Sequence, residues 1–421
     1  MNLSVFSLHC HVPRMALLFS CLFIALGLNA QSFDVGDLTY TVLQNDASAV
    51  QVTRGNKHFY DLTIPSTVSY KDNSYTVKHI GNNAFFGNGY KIYHDVVLPP
   101  TIETIGAQAF TSNGDMTSVT FASGQAPRLR VIGDEAFSGC RKMTTLFEMP
   151  STLEEIGKGA FSGCWALKGT ILLPENLKTI GSGCFSSCRS ISGFRFAVTS
   201  MADLLNGNSC FGYMRDDASW VCPVSIAPNV ERIPSYLFGS LGRYSVTFEP
   251  GSRCKEIAAY GLEYVGGRLE LPEGLVTIGN HAAYGTISGT PPLHLVLPST
   301  VQTIGNYAFR YCTSLSSLTC ARATPPAVYA NAFSNAADPS SCTLYVPLHC
   351  ASAYRGSNVW QQFFIEEADL TGISQPTVDD IDGSGSVKQR FGLGGQHLSS
   401  PTKGINIVRM SNGRVRKVVV K

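Results

Sequence analysis

The dipeptide Ile-Gly, followed after two residues by Ala-Phe, recurs along the chain. It stands at Ile80–Phe85, Ile105–Phe110, Ile132–Phe137, Ile156–Phe161 and Ile304–Phe309, and with Cys184 in place of Ala at Ile180–Phe185. Weaker copies centre on Phe211, Phe238, Leu262, Ala283 and Phe333. Counted from Phe85, successive steps are 25, 27, 24, 24, 26, 27, 24, 21, 26 and 24 residues, which gives eleven units between about Ile64 and Pro347. A repeat of this period marks a solenoid. One such unit cannot bury its own apolar side, so stability must come from stacking each coil on the next.

Each unit carries a short extended piece closed by Pro: Val96–Pro99, Ile171–Pro174, Leu269–Pro272, Leu295–Pro298 and Leu344–Pro347. Alternation puts the residue before Pro, and the one two earlier, on the core face. Pro ends the strand because it has no N–H to donate. Ile and Phe of the motif point inward, Ala allows close approach of coils, and Gly is expected to permit a tight corner. The residue two before each of these Pro, and before Pro150, points outward: Val97, Glu148, Leu172, Glu270, Val296 and Tyr345. Parallel stacking is expected to align these six into one row at about 4.8 Å per rung. Exposed apolar groups gain when covered, so this row is the candidate binding face.

The ends read differently. Arg14 is the first formal charge, an almost wholly apolar run follows from Met15 to Leu28, and Ala30 precedes Gln31. This is a secretory signal, residues 1–30, cut between Ala30 and Gln31. Residues 31–69 form an N-terminal β cap, 70–347 the solenoid, and 348–365 a closing segment whose Tyr354, Trp360, Phe363 and Phe364 cover the last coil. Residues 366–387 are a linker, acidic and then Gly-Ser rich. Residues 388–421 hold eight Lys or Arg and no Asp or Glu. There Gly404–Val408 and Val415–Val420 flank Ser411-Asn-Gly413, the pattern of a β-hairpin. The fold expected is mainly β: a solenoid of about eleven coils, joined by loops or short helices, with a small C-terminal β module.

Two resemblances follow from these residues. Ile156-Gly-Lys-Gly-Ala-Phe-Ser-Gly-Cys-Trp-Ala-Leu167 and Ile304-Gly-Asn-Tyr-Ala-Phe-Arg-Tyr-Cys-Thr-Ser-Leu315 resemble the BspA-type leucine-rich repeats of bacterial surface proteins. The resemblance implies a leucine-rich repeat solenoid outside the cell, tied to adhesion to host or microbial surfaces. The pattern departs at Pro234, Ala258 and Ala283. Phe391–Leu398, Pro401–Gly404 and Lys417–Lys421 resemble the C-terminal sorting domain of the type IX secretion system, although Gly392 stands where that family has Asp. Gly404, Lys417 and Lys421 are its marker positions here. This resemblance implies a Bacteroidetes-type bacterium and the secretion machinery as a partner of the tail.

The remaining chemistry is sparse. Of 13 Cys, eleven lie beyond the signal, and Cys140, Cys164, Cys188 and Cys312 all fall three residues after a repeat Phe. That is a ladder position: either small buried apolar side chains or disulfides between coils. Cys342 and Cys350, flanking a turn, are the best-placed pair. No metal, phosphate-loop or nucleophile motif stands in the chain, and no cofactor or catalytic residue is expected. Net charge of +2 argues against a nucleic-acid partner. No run after the signal is apolar enough to span a membrane. The expected function is binding or adhesion to an extracellular protein or glycan. The alternative is a non-catalytic structural or glycan-binding surface component.

Overall fold

The computed structural model describes residues 31–370, apart from 56, 88–90, 205–209, 212–220, 239–243, 267–268 and 286–292, together with three strands of the tail. The signal segment with Ala30, the Ser411–Gly413 turn and Lys421 lie outside the described residues.

The chain winds into a solenoid of about 12 turns. Each turn adds rungs to two stacks of short parallel strands. The first stack is built on the repeat Ile. Ile80, Ile105, Ile132, Ile156 and Ile180 align rung by rung, and after a break Ile233, Ile257, Ile278, Ile304 and Val328 do the same. The second stack consists of three four-stranded sheets. They comprise Leu62–Thr63, Asp95–Leu98, Ser118–Phe121 and Thr145–Leu146; then Gly169–Leu173, Ile191–Phe196, Cys222–Ile226 and Tyr244–Phe248; then Leu293–Leu297, Leu315–Cys320, Thr343–Pro347 and Phe364–Ala368. Turns connect the stacks. Among the described residues the only α-helix is Ala351–Arg355, so the repeats use turns where short helices were also allowed.

The turn beyond the expected eleven comes from the N-terminal segment. Strands Ser32–Val35, Leu38–Leu43 and Asp46–Gly55 form an antiparallel meander. Its last strand then pairs in parallel with Asn73–Ile80. Val52 sits beside Ile80, and its carbonyl accepts from Gly81 N at 2.7 Å, as the Ile80 carbonyl accepts from Gly106 N at 2.8 Å. Val52 therefore fills the Ile position one coil early, and the meander covers the open end.

The core is a stack of rings. Phe85, Phe110, Phe137, Phe161 and Phe185 lie nearly parallel at centroid spacings of 5.2–5.4 Å. Phe211 and Phe238 continue the column at 6.0 and 5.9 Å. All are buried. Leu262 and Ala283 interrupt it, and Phe309 and Phe333 resume it at 5.3 Å.

The motif Gly has a different role from the expected corner. Gly106, Gly133, Gly157 and Gly305 have no left-handed φ. A Cβ added at Gly106, Gly133 or Gly305 would come within about 2.6–2.7 Å of backbone nitrogen on the preceding coil, and closer still at Gly157. These glycines are needed for close approach of backbones. Each also donates its N–H to the Ile carbonyl of the preceding coil: Gly157 to Ile132 and Gly181 to Ile156, at 2.7 and 2.8 Å. Pro234 cannot make that bond. It follows Arg232–Ile233, the edge strand of its sheet, where no described strand precedes it.

The Cys ladder is built by hydrogen bonding. Cys140, Cys164 and Cys188 thiols donate to the carbonyls of Phe110, Phe137 and Phe161 on the preceding coil, at 3.3, 3.2 and 3.1 Å. Asn113 fills the same position one coil earlier. Its amide donates to the Phe85 and Phe110 carbonyls at 2.7 and 2.9 Å and accepts from Ile92 N at 2.9 Å. Burial pushes the Cys140 and Cys188 thiols up to about 12. All eleven described cysteines are free thiols, Cys342 and Cys350 among them.

At the far end Trp360 and Phe363 pack against Phe333 at 5.8 and 5.1 Å. Trp360 Nε1 donates to the Pro326 carbonyl at 3.0 Å and the Tyr354 hydroxyl to that of Arg322 at 2.8 Å. Phe364 departs from the expected covering role: it begins a strand that runs to Ala368 and is 57% exposed. In the tail, Val387–Gly392, Gly404–Met410 and Val415–Val420 form an antiparallel three-stranded sheet, with Gly404 opposite Val420 and Ile407 opposite Lys417.

Candidate functional site

Alternation places Val97, Leu172, Val296 and Tyr345 as the strand period requires, but the six outward positions do not share one row. Val97 belongs to the first of the three sheets, beside Thr63 and Thr120. Leu172 belongs to the second, beside Arg195, which is followed by Ser225 and Thr247. Val296 and Tyr345 share the third, separated by Thr319 and followed by Glu366. Glu148 and Glu270 lie outside the described strands. Only coils whose extended piece ends in Pro contributed to the sequence pattern, and other coils fill the rungs between them.

Those intervening rungs are largely polar and already engaged. The Arg195 guanidinium grips Glu249 through two bonds of 2.7 and 2.8 Å, and Ser225 donates to the same carboxylate at 2.6 Å. In the third sheet, His294 bonds Ser317 at 2.6 Å and Thr319 at 3.1 Å, which helps to bury Thr319. Of the six positions, Leu172 is the most open apolar one, at 38% exposed.

A charge ladder runs outside the first stack. Glu154 accepts from Arg130 Nε at 2.8 Å on one neighbouring coil and from Lys178 Nζ at 2.5 Å on the other. These bonds, the Lys178 contact foremost, hold its carboxyl below the usual range. Glu103, Arg128, Thr152 and Asn176 complete a shallow groove there. Arg130 and Lys178 are both taken up by Glu154, and Glu103 faces Lys78 at 3.7 Å, so most of its charge offers little to a ligand. Further along the coil, the exposed Trp165 lies between Arg141 and Arg189 of adjacent coils, with the guanidinium carbons 4.7 and 5.6 Å from the ring.

The feature missed by motif reading lies two residues before and two after the repeat Phe. Tyr236, Tyr260, His281 and Tyr307 form one exterior row across four coils, and Tyr264, Tyr284 and Tyr311 border it. Aligning every coil at those offsets would have found it. Among the described residues no group of three or more His, Cys, Asp or Glu is placed to hold a metal ion. No described helix is long and apolar enough to cross a membrane.

Parallel rungs, an inward Ile, Phe and Leu per coil and an asparagine or cysteine ladder define a leucine-rich repeat solenoid. Within that class, the family described as BspA type leucine rich repeat region matches in six copies over residues 78–215, 130–264, 231–344 and 277–366. The chain belongs to this family. No curated protein matches it. Among solved structures, it is similar to a leucine-rich repeat protein of Bacteroides ovatus ATCC 8483, with 22% identity over 75% of this chain and 70% of that one, at a TM-score of 0.44. A leucine rich cell surface protein of Faecalibacterium prausnitzii A2-165 matches at 19% identity over 80% and 95%, TM-score 0.32. The pneumococcal vaccine antigen PcpA matches at 18% over 81% and 98%, TM-score 0.35.

Proposed function

We propose that this chain is a non-catalytic binding protein of the bacterial surface, mediating adhesion to host or microbial surface components. One observation carries the reading: apolar and aromatic side chains stand open to solvent on several coils while the interior is chemically inert. Trp165, Leu172, Tyr264, Tyr311 and Tyr329 stand open to solvent, and such groups gain free energy only when covered. Ten of the eleven described thiols are buried, and burial raises the pKa of Cys164 and Cys184, which suits packing rather than reaction. The signal-like start and the sorting-type tail support export and secretion to the surface, with Gly404, Lys417 and Lys421 as the tail's marker positions.

The test combines localisation with binding. The native host is fractionated with the intact chain and with residues 388–421 removed. The purified full chain is then titrated against host matrix proteins, glycans and whole microbial cells. Saturable binding is expected, as is surface location that stops at the periplasm without the tail. A cytoplasmic location, or no saturable binding to any of these targets, refutes the reading. Surface delivery of the truncated chain refutes the tail's role alone.

A further inference from the structure

In most described coils the repeat places two residues in the left-handed region, two before and two after the repeat Phe. In the N-terminal coils these are Asn83, Gln108, Glu135, Gly159 and Gly183 on one side, and Ser112, Gly139, Gly163 and Ser187 on the other. Glycine and small polar residues hold that conformation at low cost. Further along, the same positions are Tyr236, Tyr260, His281 and Tyr307 before, and Tyr264, Gly285 and Tyr311 after. Six aromatic rings thus sit at φ between 56° and 62°, where bulky residues are outliers. Strain of this kind persists where the surroundings impose it, and it gathers at ligand clamps.

The exterior rings take over where the interior ones stop. Leu262 and Ala283 interrupt the Phe column, and across those coils Tyr236, Tyr260, His281 and Tyr307 stack outside at 4.7, 4.4 and 5.0 Å. That stacking accounts for the row itself. It does not account for Tyr264 and Tyr311, which stand nearly perpendicular to Tyr284 at 5.6 and 5.4 Å and are 49% and 39% exposed. Gly285 makes room for Tyr264: a Cβ there would come within 2.5 Å of the Tyr264 ring. The two open rings belong to coils two apart, roughly 10 Å along the stack, about the length of a disaccharide.

Arg310 supplies the charge. Its guanidinium lies 5.0 Å from the centre of the Tyr307 ring and 4.7 Å from that of Tyr311, and Nη2 donates to the Tyr311 hydroxyl at 3.0 Å. Its Nε is buried without an acceptor. Among the described residues no carboxylate stands within ion-pair distance of it, whereas Arg130, Arg195 and Arg232 are each paired. The rings fix the cation in place and leave its charge uncompensated. Glu263, the carboxylate beside Tyr264 in sequence, is pushed toward its neutral form by burial.

We propose that Tyr264, Tyr311 and Arg310 form a site for an anionic polysaccharide: the two open rings seat sugar C–H faces and the guanidinium takes a carboxylate or sulfate. The hydroxyl edges of the Tyr236–Tyr307 row extend the contact along the chain of sugars. This deepens the adhesion reading by naming a ligand class, and it rests on that reading.

The purified full chain is titrated with polygalacturonate, hyaluronan and heparin, and with methyl-esterified polygalacturonate and dextran as neutral counterparts. At least one anionic polymer is expected to bind at least about tenfold more tightly than the neutral ones. Arg310→Gln, and separately Tyr264→Asn with Tyr311→Asn, should each weaken it about tenfold or more. The Asn pair should fold, because Asn335 holds the same left-handed position in the next coil, and it carries the test if Arg310→Gln does not fold. Binding of none of the anionic polymers, equal binding of the neutral ones, or full binding by the folded Asn pair overturns the site. Loss of binding in Leu172→Ser with Val296→Ser, rather than in the Asn pair, relocates it to the sheet face and also overturns it. If the site fails while the chain still binds cells or matrix proteins, adhesion stands without this ligand; if nothing binds, both readings fall.

Discussion

Phe161→Ala removes one ring from the middle of the interior column. Phe161 is fully buried and lies between Phe137 at 5.4 Å and Phe185 at 5.3 Å, with interplanar angles of 3° and 6°. Deleting a buried Phe side chain costs about 3–5 kcal/mol in transfer and cavity terms. The stacks on either side each add about 0.5–1.5 kcal/mol beyond buried area, which places this site toward the upper end. Phe161→Leu keeps most of the volume and forfeits the two stacks, so it should cost about 1–3 kcal/mol. A double-mutant cycle separates the column from general burial. Phe137→Leu with Phe161→Leu should couple by about 0.5–1.5 kcal/mol, whereas Phe161→Leu with the distant Phe333→Leu should add within about 0.5 kcal/mol. Urea titrations followed by circular dichroism and by tryptophan fluorescence supply the values, the second probe sensing Trp165 four residues away. A loss below about 1 kcal/mol for Phe161→Ala would refute the inward column. Equal coupling for the near and far pairs would show that rings are not in nearest-neighbour contact.

Cys164→Ser should be tolerated better than Cys164→Ala by about 0.5–1.5 kcal/mol, because a hydroxyl can still donate to the Phe137 carbonyl; the reverse order in thermal melts would make the thiol a plain apolar filler. Thiol-specific labelling of the native chain should reach Cys350 first, since the other ten described cysteines are buried. Gly157→Ala should cost about 1–3 kcal/mol by driving a Cβ into the backbone of the preceding coil, while Gly114→Ala, whose Cβ would meet only the Gly139 carbonyl at 3.8 Å, should stay within about 0.5 kcal/mol; equal losses in denaturant would dismiss close approach as the reason for Gly. Ser48 and Lys78 hydrogen bonds hold the Asp46 carboxyl down at about 2. Its folded value lies below its unfolded one, so its contribution is present above about pH 4 and fades as pH falls toward 2. Asp46→Asn should flatten the acid limb of a melting-temperature profile, and an unchanged limb would exclude it.

Much of the coil was legible because burial repeats. Ile156, Phe161 and Leu167 recur at fixed offsets, and the alternation around Val96–Pro99 sets the inward face without further information. What pairs with what was less legible. Val97, Leu172 and Val296 looked like one row because only Pro-ended pieces stand out as text, yet Thr120, Arg195 and Thr319 occupy the rungs beside them. The role of Gly157 was misread because a corner and a close approach demand the same residue, and only φ and the neighbouring backbone tell them apart. The exterior Tyr row could be found by aligning the coils, but its significance escaped for a related reason. Nothing in the letters at Tyr260 or Tyr307 shows a left-handed backbone, and the strain that makes them unusual is a property of conformation.

The two stacks of strands break at different heights. Among the described residues no strand of the Ile stack stands between Ile180 and Arg232, and there the opposite wall runs unbroken from Gly169–Leu173 to Tyr244–Phe248. Among the described strands the opposite wall is interrupted after Leu146, where the Ile stack is continuous; beyond Tyr244–Phe248 it is carried on by a bridge from Tyr244 to Val265. Among the described residues the joints at these two heights are staggered, as in bonded brickwork. Pulling the stack apart at either height therefore shears a hydrogen-bonded course of the other wall, rather than parting along a ready-made plane.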